Sequence, residues 1–545
     1  MVPHRSRLNR LNRLPAWVAP TLGALPAAGL ALFFLWPVAT LLARVLSPGA
    51  LRTTLSAPGV GGVLWFTVWQ ATVSTLLTLV AGFAPAYVLA RFQFPGRRLL
   101  SALVTVPFML PTVVVGAAFL ALLPPSWHGT ARAVIVAHVF FNVAVVVRLL
   151  APLWGAVPHD LTSAARTLGA SPPQVLRHVV LPLLRPGLWS AATVVFLFTF
   201  TAYGTVRLLG GARHATIEVE VARRATQLGD VDAAAALSML QLVVLATIVG
   251  IGAVRQRRAA HPLRGAPALR RPRDRRERWT VGAVAGGTAL AMAAPLAVMV
   301  ARSLRLGGRW SLAAWRTLGS TEIRPGVSLG VDPIASLFVS LRFAVVAAGL
   351  SALLGGLAAL AIGAARAHGR LLDIGLMLPL GTSAVTIGLG VLITFDTSPV
   401  DWRAEWWLIP VGHALVATPF VVRALVPVLR AIPPEQRAAA ATLGATPLRA
   451  WLAIDVRRLA RPLVAAGGLA AAISLGEFGA TTFLTRAGRE TLPIAIARLL
   501  GRAGQIPRAQ AFALATMLLV VSAAIVALVE RPLTGNEGAR RARGM

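Results

Sequence analysis

Glu477 is the one carboxylate set deep in an apolar run, in the stretch SLGEFGA. An ionised group in such a run is costly unless it faces a cavity or a partner. It therefore either lines a translocation path, where it would attract a cation, or bonds to a neighbouring helix, with Arg342 an available partner. His138 and His413 also lie in apolar runs, but neither has a carboxylate or second histidine three or four residues on, as a metal-ligand pair needs. Hydrogen-bonding or packing roles are expected for both, and no metal site. Glu218 and Glu220 sit in a polar stretch and are read as solvated, with contact to an external protein as the alternative. The sequence holds no cysteine and no lysine. Disulfides, thiolate catalysis and cysteine-ligated metals are thereby excluded, and a GxxxxGK[ST] phosphate loop cannot occur. No cluster of His, Asp and Glu offers an acid–base set. The expectation is a non-enzyme with no catalytic residue and no bound cofactor of its own.

The chain's main resource is apolar length. Of 545 residues, 56% are hydrophobic and 13% charged, with a mean hydropathy of +0.72; a soluble protein would carry about a quarter charged residues. A run of about 20 apolar residues crosses the hydrocarbon core as a helix. Such runs fall near 25–46, 62–90, 99–123, 131–155, 188–209 and 233–254, then near 280–301, 336–362, 371–395, 406–428, 463–484 and 510–529. This predicts an all-α integral membrane protein of about twelve transmembrane helices in two sets of six. The first run follows Arg5, Arg7, Arg10 and Arg13 and is too long for a signal-peptide core, so it is read as a retained helix. Residues 255–278 are the most basic segment, a solvated linker that would also favour anionic membrane lipid. They divide a first membrane domain, 1–254, from a second, 279–545. The net charge of +34 flanks the spans and forms no stripe on a polar domain, which argues against a nucleic-acid partner. Arginines such as Arg97, Arg98, Arg366, Arg370, Arg540, Arg541 and Arg543 fall on one side. Most acids, including Asp230, Asp332, Asp396, Asp401 and Glu405, fall on the other, which places both termini in the cytoplasm.

An internal repeat runs through the chain. His138–Pro172 aligns without a gap on His413–Pro447, at an offset of 275. Arg148/Arg423, Pro158/Pro433, Leu168/Leu443 and Gly169/Gly444 coincide. Each copy crosses the membrane an even number of times, so the two form a parallel repeat. Between the fourth and fifth spans each copy has an alanine-rich segment suited to a short helix. Gly169 supplies the turn that ends it, and Ser171 with Pro172 starts a second helix. Ala164, Ala165 and Leu168 would share one face. A duplicated small-residue face at the membrane surface suits docking into a groove of another protein.

This segment resembles the cytoplasmic signature loop of the permeases of binding-protein-dependent ABC importers. The spacing runs Ser163, Ala164, Ala165, Gly169, Val179, Leu181 and Pro182, and in the second copy Ala438, Ala439, Ala440 and Gly444. The resemblance covers nearly the whole chain and implies a type I importer fold. It implies that Ser163, Ala164, Ala165, Leu168, Gly169 and Pro182, with Ala439, Ala440, Leu443 and Gly444, form coupling helices seated on two copies of a cytoplasmic ABC ATPase, which uses the ATP. It further implies an extracytoplasmic substrate-binding protein and a place in the inner or plasma membrane of a prokaryote. Two departures stand out. The family's glutamate at the motif start is Ser163 or Ala438, with Asp160 and Glu435 three residues upstream. The closing Leu-Pro becomes Val456-Arg457 in the second copy, so the two loops are not equivalent. Fusion of two copies, together with the segments 208–225 and 474–502, is similar to the ferric-iron and thiamine importers, the thiamine branch more than the iron branch. The alternative is an ion-coupled secondary transporter, which needs several intramembrane carboxylates; Glu477 alone lies deep in a span.

Overall fold

The computed structural model describes residues 15, 17–46, 49–259, 269–324, 327–364, 368–396 and 401–542. Arg5, Arg7, Arg10, Arg13, Arg366, Arg543 and linker residues 260–268 lie outside them. The first half of the chain forms α1 (Val18–Val45), α2 (Val60–Arg91), α3 (Arg97–Met109), α4 (Thr112–Leu122) and α5 (Ala131–Gly155). Then follow α6 (His159–Thr167), α7 (Pro172–Phe200), α8 (Gly204–Leu209), α9 (Ile217–Arg223) and α10 (Val231–Gly252). The second half repeats the series as α11 (Arg275–Ser303), α12 (Pro333–Ala364), α13 (Gly369–Gly381), α14 (Ala384–Thr394) and α15 (Leu408–Arg430). It closes with α16 (Pro434–Thr442), α17 (Pro447–Gly476), α18 (Gly479–Leu484), α19 (Leu492–Leu500) and α20 (Gln505–Ile525). Each element of the first half thus has its counterpart ten labels on. Among the described residues ten helices are long and apolar enough to cross a membrane, or twelve if each bent pair, α3 with α4 and α13 with α14, counts as one crossing.

Two expected straight spans are bent. The run 99–123 breaks between α3 and α4 with a turn of 107°, and the run 371–395 between α13 and α14 with a turn of 100°. The causes differ. Pro111 disfavours helical backbone at Leu110, which is extended at ψ 146°. In the second half, Ser383 breaks the helix by capping the next one, its Oγ accepting from Val385 N at 3.0 Å and Thr386 N at 3.4 Å. The fifth spans also differ from expectation. They begin earlier, at Pro172 and Pro447, and end at Phe200 and Gly476, with a short non-helical break before α8 and α18.

Packing does not follow the division of the sequence at the linker. Among the described residues, one compact unit combines those up to 46 with those of 330–495 and 518–542, and the other combines those of 49–329 with 496–517. In the first unit α1 packs along α12 and against α14; in the second, α11 packs along α3, α4 and α2. The first membrane helix of each copy therefore contributes to the core built by the other copy. Hydropathy reports only that a helix is apolar, so partner choice was invisible in the sequence.

Inside each unit the second and fourth helices of the repeat meet at glycine. A Cβ at Gly82 of α2 would lie 2.7 Å from Val146 of α5, and one at Gly355 of α12 would lie 2.7 Å from Val421 of α15. Small residues let helix backbones approach where lipid supplies no hydrophobic drive. A second matched pair is tighter. A Cβ at Gly116 of α4 would meet Leu208 of α8 at 2.7 Å, and one at Gly388 of α14 would meet the Ala480 Cα of α18 at 2.6 Å. Backbone cannot rotate aside as a side chain can. Gly388→Val is expected to lower the thermal midpoint in detergent, by the equivalent of about 1–3 kcal/mol or more for overpacking. Gly349→Ala in α12, whose added Cβ meets nothing within 4 Å, should leave the midpoint unchanged or raise it slightly; equal effects of both would refute the packing account.

Candidate functional site

The duplicated helix–turn takes the same form in both copies. α6 ends where the Gly169 N–H donates to Arg166 O at 3.0 Å and the Ala170 N–H to Ala165 O at 3.0 Å. In α16 the corresponding bonds run from Gly444 to Ala441 and from Ala445 to Ala440, both at 3.0 Å. This paired pattern closes a helix when the residue after the cap has positive φ, and Gly169 and Gly444 have φ of +84° and +79°. The chain then restarts on a cap. Gln174 Oε1 accepts from the Ser171 N–H at 2.7 Å, and Thr446 Oγ1 accepts from the Arg449 N–H at 3.3 Å. Two rigid helical pieces thus meet at a fixed angle with few rotatable bonds between them.

The turn presents a single apolar knob. Leu168 is 88% exposed and Leu443 87%. Ser163, Ala164 and Gly169 are exposed beside the first, and Ala439 and Gly444 beside the second, while Ala440 is half-buried; Pro182 is exposed too, but it lies within α7, about ten residues past the turn. Ala165 departs from the expected common face: it is half-buried and packs with Ala170 on a small core of Trp154, Val157, Val175 and Leu184. The outward face is therefore Ala164 with Leu168, and the inward one fixes the helix to the membrane domain.

The two copies fasten this helix differently. In the first, Arg91 at the end of α2 places Nη1 3.1 Å from His159 Nε2 at the start of α6. Burial, then the neighbouring guanidinium of Arg91, holds the His159 imidazole below its ordinary pKa, so it accepts as a neutral ring. In the second, Arg437 of α16 forms a two-pronged pair with the buried Asp455 of α17, which raises the Arg437 pKa. Neither brace was legible in the sequence; Asp455 inside an apolar helix was the available signal. Asp455→Asn should loosen α16 alone. Hydrogen bonds to a charged group contribute about 1.5–3 kcal/mol, with the lower end apt for an arginine about a third exposed. Amide hydrogen exchange should accelerate across 434–442 and stay unchanged across 159–167; acceleration in both segments would contradict separate braces.

Glu477 is turned into the protein, at 6% exposure. Its backbone leaves the helix at ψ 122°, and its carboxylate folds back on the start of α18. Oε1 accepts from the Ala480 N–H at 2.9 Å; Oε2 accepts from the Thr481 N–H at 2.9 Å and the Thr481 hydroxyl at 2.6 Å. His413 Nε2 stands 3.4 Å from Oε2, and its other ring nitrogen is 2.7 Å from Ser474 Oγ. The expected partner Arg342 lies instead over the Trp406 ring, 4.2 Å from its centroid. Of the two roles weighed for Glu477, this geometry favours the structural one, with a corrected partner. A carboxylate at a helix N-terminus is favoured by the exposed N–H groups and the helix dipole. His138, the counterpart of His413, bonds Gln70 Oε1 at 3.0 Å, and Gln70 donates to Thr199 O at 2.9 Å. Both histidines thus serve buried hydrogen bonds. Glu218 and Glu220, expected in solvent, are buried. Glu218 accepts from Gln241 of α10, and Glu220 pairs with Arg223 and Arg224 at 2.7 and 2.8 Å. Burial raises the Glu220 pKa, but the two guanidinium hydrogen bonds outweigh it and hold the carboxyl below its ordinary value. Gln241 in an apolar span was the sequence sign that a buried acid needed a donor.

Two copies of a membrane-helix unit, each with an exposed helix–turn between its fourth and fifth crossing segments, define a two-repeat permease. Residues 78–258 match the family of binding-protein-dependent transport system inner membrane components. A probable sulfate transport system permease protein of Nephroselmis olivacea is 31% identical, over 38% of this chain and 77% of that protein. A probable ABC transporter permease protein of Sinorhizobium fredii is 26% identical over 97% of this chain and 99% of its own. The thiamine transport system permease protein of Brucella abortus is 28% identical over 94% and 96%. The chain belongs to the family of binding-protein-dependent transport system inner membrane components, as a fused two-repeat type I ABC importer permease. Glu477→Gln should lower thermal stability, because one acceptor oxygen of the α18 cap becomes an amide donor and leaves a buried N–H or hydroxyl unpaired, a cost of about 1–3 kcal/mol. Unchanged stability with altered cation uptake would restore a path-lining role.

Proposed function

We propose that this chain forms the pore of a thiamine importer driven by two copies of a separate cytoplasmic ABC ATPase. The observation that carries the docking is the pair of exposed leucines, Leu168 and Leu443, each standing on a helix closed by the same glycine turn. A large apolar side chain this exposed at a rigid turn is suited to insert into a partner's groove. Movement of the ATPases passes through α6 and α16 into the membrane helices, so ATP is consumed elsewhere and no catalytic residue is required here. Ser163, Ala164, Gly169, Ala439 and Gly444 flank the knobs. Both termini lie on the cytoplasmic side with α6 and α16, in keeping with the arginine-rich flanks, and an extracytoplasmic binding protein delivers substrate to the opposite face. Thiamine is favoured over ferric iron because relatives named as thiamine permeases align over nearly the whole chain.

The test is ATP hydrolysis by the chain reconstituted in lipid with its ATPase and binding protein, with thiamine or ferric ion supplied in turn. Stimulation by thiamine alone is the expected result. Stimulation by ferric ion alone would replace the substrate and keep the importer. Leu168→Asp with Leu443→Asp should abolish stimulation and ATPase association while membrane insertion persists, since each puts a charge into an apolar contact. Normal association of that variant would overturn the docking assignment, and uptake driven by an ion gradient without ATP would favour the secondary transporter.

A further inference from the structure

A groove of about 1040 Å³ lies between α3 and α11, slightly larger than the range of about 300–1,000 Å³ that suits drug-sized ligands. Its walls include Leu99 and Leu103 on α3 and the glycines Gly282 and Gly286 on α11. Its mouth carries Arg271 and Arg278, both exposed. Neither arginine has an ion-pair partner among the described residues, and the nearby acids are engaged. Glu277 is taken by Arg270 and by the Arg273 N–H, and Asp274 caps α11 through the Glu277 N–H at 2.7 Å. The groove thus combines apolar walls with two uncompensated positive charges at one end.

Its dimensions fit one leaflet. From Arg278 the lining of α11 continues to Ala289; eleven residues at 1.5 Å each rise about 16 Å, half of a hydrocarbon core of about 30 Å. Only 17% of the apolar window of α11 is buried in protein, the smallest share of the ten spans, so most of this apolar helix is left uncovered by the chain. The arginine end lies beside the coupling segment. Arg91 accepts the Arg270 N–H on its carbonyl at 3.0 Å and contacts His159 of α6 through its side chain.

We propose that this groove is a binding site for an anionic phospholipid. The phosphate sits on Arg271 and Arg278, and one acyl chain runs along the glycine face of α11 in the leaflet on the α6 side. A bound lipid of this kind would tie the start of α11 to the anchor of α6, making coupling sensitive to anionic lipid. Basic pockets between membrane helices recognise such headgroups by charge.

The test is native mass spectrometry of the full-length chain in detergent with phosphatidylglycerol, against phosphatidylcholine of identical acyl chains. The wild type should retain phosphatidylglycerol preferentially, and Arg271→Gln with Arg278→Gln should reduce retention on the order of tenfold. Gly286→Leu should also displace the lipid with both arginines intact; a side chain there meets no protein atom within 4 Å at its Cβ, so folding is not at issue. Equal retention of both lipids by the wild type, or unchanged retention in both variants, would overturn the site. Displacement of the lipid by inorganic phosphate alone would overturn the lipid assignment in favour of free phosphate. A mass of two chains with no lipid would assign the groove to a second copy.

Discussion

The whole architecture depends on a helix's need to satisfy its own backbone polar groups in hydrocarbon, where water cannot do so. That constraint leaves only helices and closed barrels to span; the long apolar runs here make helices, and once they are formed, lipid gives them no hydrophobic reason to associate. Close approach must hold them together, and it is why Gly82 and Gly355 stand opposite valines at the same place in each copy. The same demand governs the irregular places. Where α17 ends at Gly476, the exposed donors of α18 are met by Glu477, and where α13 ends, Ser383 supplies the acceptor. A carboxylate in the membrane is here a solution to a backbone problem.

Two groups of buried polar side chains form closed local sets. His413, Ser474, Thr481 and Glu477 satisfy one another, and Glu220 is shared between two arginines. Such sets resist rearrangement, because breaking any one bond strands a buried group. The exposed turn is built the opposite way: backbone bonds at Gly169 and Gly444 and a single side-chain cap on the next helix hold it, and the surface is left to Leu168 and Leu443. Stiffness beneath and an apolar projection above are what mechanical transmission requires.

Local features were legible in the sequence. Matched His, Arg, Pro and Gly at one offset revealed the repeat, and the Gly-Ala-Ser-Pro run around Gly169 specified both the end of one helix and the start of the next. Features that depend on distant partners were not. Nothing in SLGEFGA distinguishes a path-lining carboxylate from a cap until His413, 64 residues away, is seen beside it. Glu218 reads as a loop acid because its partner Gln241 lies in another helix. The bends at Leu110 and Ser383 were hidden because apolar content is indifferent to direction, although the prolyl residue at 111 constrains its neighbour in a way sequence alone conveys.

The exchange of first helices between the two packed units has a consequence in time. About 290 residues separate the end of α1 from the start of α12, against which it packs. At about 5–20 residues per second of synthesis, α1 waits roughly 15–60 s in the bilayer before its partners arrive. A helix that must reside in lipid for so long without its final partners cannot carry groups that need them. From Val18 to Val45 its only charged residue is Arg44, at the very end. The composition of α1 is thus that of a segment able to wait.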